Sequence, residues 1–142
     1  MSNIYKELSE ERKRLQAEGL VPDWYSTGGY QMFKEKYEYQ TEGRSVRGQF
    51  ERIAKTAAKH LIGTKYEKDA EGKFFNLLWK GWLSPSTPVL ANMGTNRGMP
   101  VSCSGTVVED SVDGFYSNLH EVALLTKYGF GTASDLSHVR PR

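Results

Sequence analysis

The stretch from Leu83 to Asp113, LSPSTPVLANMGTNRGMPVSCSGTVVEDSVD, most constrains how this chain folds. Pro85 and Pro88 stand close together in it. Each lacks a backbone N–H and disfavours helix in the residue before it, so the pair ends the preceding helix and forces an extended segment. Gly94 and Gly98 mark a loop over residues 92–100, and VSCSGTVV at 101–108 is short and β-branched, as a strand is. Asp110 and Ser111 are good N-cap residues for a following helix, and Asp113 is an acid where the helix N-terminus favours one.

Before this stretch the pattern is helical. Residues 3–18 read as a charged helix anchored by Ile4, Leu8 and Leu15, stopped by Gly19 and Pro22. Residues 23–39 are rich in aromatics, among them Trp24, Tyr30, Phe33 and Tyr39, and Gly28-Gly29 breaks them into a loop and a short helix. In residues 45–62, Val46, Phe50, Ile53, Ala54, Ala57 and Leu61 form one apolar stripe, and Gly63 caps it. Residues 65–83 form another helix, with Phe74, Phe75, Leu78, Trp79 and Trp82 facing inward. After the proline stretch, the helix opened by Asp110 and Ser111 runs to about Lys127. Val112, Phe115, Tyr116, Leu119, Val122 and Ala123 share one side of it, and Gly129 and Gly131 end it. A second strand then completes the opening of an α/β unit. Such a unit cannot cover its own sheet edges, so this half of the chain reads as unfinished.

Composition narrows the function classes. A net charge of +2, with Lys and Arg interleaved among Asp and Glu, gives no basic stripe for nucleic acid. No apolar run is long enough to cross a membrane, and the charged N-terminus is no signal peptide. The single cysteine, Cys103, rules out an intrachain disulfide and a Cys-rich zinc site, and fits a reducing compartment such as the cytoplasm.

Several residues have two readings on the sequence alone. Cys103 is a small buried residue on a strand, or a redox or nucleophilic thiol with no His or Lys beside it in sequence. Thr87-Pro88 is a helix stop, or part of a site. Asp110-Ser111 is an ordinary cap, or seats a nucleotide, with helix N–H groups attracting phosphate and Asp110 accepting from a ribose hydroxyl. Arg140 and Arg142 are a solvated tail, or supply charge to phosphates. The aromatics of residues 24–39 read as core, since no basic groove accompanies them. His60, His120 and His138 lack metal-ligand spacing and read as surface or satisfied core groups.

The order STPVLANMG, RGMPVSC, EDSVD resembles the large, catalytic subunit of class I ribonucleotide reductases, in the segment leading into its ten-stranded α/β barrel. GTASDLSHVR at 131–140 is similar to that family's specificity loop, and FERIAKTAAKHL to its region before the barrel. The resemblance implies an α/β fold: a helical region over residues 1–83 without an ATP cone, then the opening strand-helix units of an incomplete barrel over 84–142. It implies that Thr87, Ser102 and Cys103 contact the substrate nucleotide. It also implies that Cys103 is one of two cysteines reducing the 2′ carbon, which two thiols can do by becoming a disulfide. Asp110, Ser111, Val112 and Arg140 would hold a deoxynucleoside triphosphate or ATP effector, and residues 112–127 would form a homodimer interface.

The sequence departs from that family in lacking the partner cysteine, the Asn-x-Cys-x-Glu finger loop, the tyrosine relay and the C-terminal cysteine pair. The expected catalyst therefore needs the remainder of the large subunit as a separate chain, a small subunit generating the radical, and thioredoxin or glutaredoxin as reductant. No cofactor, metal, membrane or nucleic acid is expected to bind this chain itself. The expected reaction reduces ribonucleoside diphosphates to 2′-deoxyribonucleotides for DNA synthesis. The alternative is a non-catalytic fragment that binds a nucleotide or a subunit.

Overall fold

The computed structural model describes residues 2–38 and 44–141, in two compact units that divide between Arg97 and Gly98. Tyr39 and Arg142 lie outside the described residues.

The first unit is all-helical: α1 (Ser2–Ala17), α2 (Thr27–Lys36), α3 (Val46–Lys59), α4 (Ala70–Trp79) and α5 (Thr87–Asn92). Its core gathers Val21, Tyr30, Phe33, Phe50, Ile53 and Leu78, so the stripe of α3 faces inward as its spacing demands. Phe50 meets the Trp79 ring edge-on, with centroids 6.4 Å apart, and Phe75 stacks on Trp79 at 5.4 Å. The segment between α1 and α2 is pinned from α1. Arg12 donates to the Tyr25 carbonyl at 2.8 Å, and Gln16 Nε2 to the Pro22 carbonyl at 2.8 Å.

Four expectations for this unit need correction. Gly28-Gly29 does not break a helix but lies in the first turn of α2, because the Ser26 side chain accepts from Gly29 N at 3.0 Å and starts the helix earlier. The helix expected over 65–83 is only Ala70–Trp79. Asp69 takes a left-handed conformation, and the Gly63 N–H is bound by the Glu67 side chain at 2.8 Å, so the preceding residues form turns. Trp82 lies beyond the end of α4 and is 74% exposed, not inward-facing. Pro88, expected in an extended segment, sits in the first turn of α5, where a missing N–H costs no hydrogen bond. The first unit accordingly continues past Leu83, with α5 included, to Arg97.

The second unit is β1 (Cys103–Val107), α6 (Val112–Lys127) and β2 (Gly131–Asp135). β1 and β2 pair in parallel, from Cys103 opposite Gly131 to Val107 opposite Asp135, and α6 is the crossover that parallel pairing requires. Helix α6 ends at Lys127 as expected, and the face it lays on the strands is a different one from the apolar stripe. Gly114, Asn118, Val122 and Leu125 are the buried or half-buried positions, whereas Val112, Phe115, Tyr116 and Leu119 are exposed. A polar tie sets this rotation. Asn118 Nδ2 donates to Thr106 Oγ1 at 2.7 Å, Thr106 Oγ1 lies 3.0 Å from Ser134 Oγ, and Ser134 Oγ donates to Asn118 Oδ1 at 3.0 Å. The three side chains close a ring across α6, β1 and β2.

Candidate functional site

Thr87 is the first residue of α5 in the helical unit and is exposed. The remaining expected site residues belong to the second unit and fall into two groups. Ser102 and Cys103 stand at the start of β1, where the Ser102 carbonyl accepts from Gly131 N at 2.7 Å. Ser102 Oγ and Cys103 Sγ are 3.6 Å apart. Cys103 is exposed, which overturns its reading as a small buried residue. Alternate residues of a strand point to opposite faces, and α6 covers the face of Ser104 and Thr106, leaving Cys103, Gly105 and Val107 on the open one.

The other group is at the N-terminus of α6. Ser111 alone is the N-cap, its hydroxyl accepting from Gly114 N at 2.9 Å. Asp110 instead faces Arg140, Oδ2 to Nε at 3.1 Å, with Arg140 largely exposed and Asp110 about three-quarters buried. The turn is tight. A Cβ on Gly114 would fall 2.6 Å from the Glu109 carbonyl oxygen, so the residue there must be glycine. Arg140 is reached through a second turn, in which Asp135 Oδ1 accepts from Ser137 N at 2.8 Å. That backbone hydrogen bond, with the Ser137 hydroxyl, holds the Asp135 carboxyl below its ordinary pKa. Asp110, Ser111 and Arg140 are thus brought together, with Val112 exposed beside them.

One cavity, of about 600 Å³, lies among Arg47, Glu51, Arg52, Lys55 and Glu71 on α3 and α4, and another, of about 360 Å³, lies beside Trp24, Phe50 and Pro85. None of the expected site residues lines either. His60, His120 and His138 are exposed, and among the described residues no His, Cys, Asp and Glu gather as a metal site. No helix of the described residues is long and apolar enough to cross a membrane. Sequence reasoning missed the ring of Thr106, Asn118 and Ser134. Its one signal is an asparagine between glycine and valine on the 114/118/122 face.

Residues 24–98, more than half of the chain, match the profile of the family described as "Ribonucleotide reductase, all-alpha domain". The ribonucleoside-diphosphate reductase large subunit of vaccinia virus is 26% identical over 118 residues, which are 82% of this chain and 15% of that protein. The vitamin B12-dependent ribonucleoside-diphosphate reductase of Mycobacterium tuberculosis is 35% identical over 69 residues, 49% of this chain and 10% of that protein. The solved Actinobacillus ureae class Id ribonucleotide reductase alpha subunit superposes with a TM-score of 0.69 at 28% identity, over 84% of this chain and 22% of that one. The chain therefore spans a minor part of the relatives it matches. With a helical unit that fits the family profile and a small parallel sheet after it, as in a reductase alpha subunit, the chain belongs to the ribonucleotide reductase large-subunit family.

Proposed function

We propose that this chain contributes the substrate-facing and effector-facing segments of a ribonucleoside-diphosphate reductase. The observation that carries the reading is an exposed cysteine at the start of β1, beside the Ser102 hydroxyl, in a chain of this family. Thr87, Ser102 and Cys103 would contact the nucleotide. Cys103 and a second thiol from outside these 142 residues would supply two electrons. The C2′–O bond breaks, the hydroxyl leaves as water, a C2′–H bond forms, and the two thiols become one disulfide. The second thiol must come from elsewhere because the chain has a single cysteine. The initiating radical would come from a small subunit, and thioredoxin or glutaredoxin would reduce the disulfide again.

Asp110, Ser111, Val112 and Arg140 would hold a deoxynucleoside triphosphate or ATP effector. The α6 N-terminus and Arg140 attract its phosphates, and Asp110 accepts from its ribose. The exposed side chains Val112, Phe115, Tyr116 and Leu119 support a homodimer through residues 112–127. The open edges of the β1–β2 pair support its place as the first strands of the ten-stranded barrel.

The test is Cys103→Ser in the reductase assembled with this chain. Multiple turnover with a dithiol reductant should be abolished, and undiminished turnover would remove the redox role. A second reading, a non-catalytic nucleotide-binding module, is favoured by the Asp110–Arg140 pair at the helix N-terminus. It predicts saturable binding of a deoxynucleoside triphosphate by the isolated chain, and calorimetry without heat for any of them would refute it.

A further inference from the structure

We infer that Arg52, on α3, is a positioning residue for the Thr87 turn, an inference that rests on the proposed substrate role of Thr87. Helix α5 has six residues, too few to persist alone in water. Its N-cap, Ser86, makes no side-chain capping bond. Val89, Leu90, Ala91 and Met93 pack against the core, and the polar ties that hold the helix come from α3. Arg52 Nη2 donates to the Leu90 carbonyl at 2.7 Å and Nη1 to the Met93 carbonyl, so one planar fork satisfies two carbonyls at the end of the helix. Gln49 Nε2 donates to the same Leu90 carbonyl at 3.1 Å. Just beyond, a Cβ on Gly94 would fall 2.3 Å from Thr56 Oγ1, so α3 and the end of α5 are in close contact there.

Gln49, Arg52 and Thr56 thus make a polar stripe on α3, beside the apolar stripe that builds the core. The guanidinium also sits at the helix C-terminus, where positive charge is favoured. Burial pushes the Arg52 pKa down, so the group is held against a desolvation cost. Leu90 and Thr87 share one turn of helix, so the grip on the Leu90 carbonyl fixes where Thr87 stands. Arg52 reaches the nucleotide only through that turn.

The test pairs hydrogen exchange on the full chain with kinetics of the reductase assembled with it. Arg52→Met keeps the aliphatic stem and removes the fork. Amides of residues 89–94 should exchange faster by roughly tenfold or more, while those of the α3–α4 core stay unchanged. KM for the nucleotide should rise, with kcat less affected, and Arg52→Lys should restore part of both. Should Arg52→Met unfold the chain, Arg52→Lys gives the same reading with a smaller change. Unchanged exchange in residues 89–94 overturns the inference, and so does faster exchange with an unmoved KM where Thr87→Ala raises it. If Thr87→Ala leaves KM unchanged, the substrate role of Thr87 fails instead, and exchange alone then decides whether Arg52 holds the turn.

Discussion

Replacing Asn118 by alanine tests what orients α6 on its two strands. Asn118 is 9% exposed and makes two bonds in the ring, one from Nδ2 to Thr106 Oγ1 and one to Oδ1 from Ser134. Each neutral hydrogen bond contributes about 1 kcal/mol net, so the substitution removes about 2 kcal/mol. Ser134 is exposed and can turn its hydroxyl to water, whereas Thr106 is buried and keeps only Ser134 and the Ala133 carbonyl as partners. Two units in one chain make a single melting curve ambiguous, so the assay is hydrogen exchange read at the β1 and β2 amides. A loss of about 2 kcal/mol speeds their exchange roughly 30-fold. Thr106→Val removes the facing hydroxyl, and the double variant should lose about 1 kcal/mol less than the sum of the two singles. Exchange within about twofold of the parent, or strict additivity, would refute the ring as the tie, since 1.4 kcal/mol is a tenfold change.

Two further outcomes follow from other sites. Gly114→Ala should destabilise the second unit by about 1–3 kcal/mol and disturb the turn holding Asp110, because the new Cβ must displace the Glu109 carbonyl; an unchanged exchange profile at residues 109–114 would contradict this. Burial, with the Tyr37 phenol nearby, pushes Tyr25 up to about 12, and burial with a hydrogen bond to Glu11 raises Tyr30 as well. Both folded values lie above the ordinary 10.0, so this stabilisation is complete below pH 10.0 and is lost as pH climbs through the folded values. Each phenol contributes about 1.4 kcal/mol per pH unit over that window. Circular dichroism should show the helical unit weakening from there upward, and phenolate absorbance at the ordinary pKa in the folded chain would contradict the burial argument.

What the sequence disclosed depended on whether one local rule governed the element. Helix α3 was legible because its apolar residues repeat at helical spacing and face a single core. The end of α6 at Lys127 was legible from Gly129, which has a positive φ of 90°. The strand-helix-strand order came from β-branched residues and caps, though β1 is shorter than the expected 101–108. Helix α5 was missed because a proline reads equally as a stop or as a first-turn residue, and the choice is made by donors on α3, forty positions earlier. The face of α6 that lies on the strands was not legible, because hydrophobic periodicity ranks side chains by transfer energy, while a satisfied asparagine buried between two hydroxyls sets the rotation here. For Cys103, burial depended on which side of the sheet α6 covers, and strand alternation alone does not say.

The central claim is that Cys103 is one half of a redox pair completed by another thiol. The direct measurement is thiol mapping on the reductase purified with this chain, supplied with ribonucleoside diphosphate and effector but no external reductant, then alkylated under denaturing conditions and analysed by mass spectrometry. The account predicts that Cys103 becomes resistant to alkylation as deoxynucleotide accumulates, linked by a disulfide to a cysteine from outside these residues, one bond per product formed. Cys103 remaining a free thiol after product has formed would contradict it.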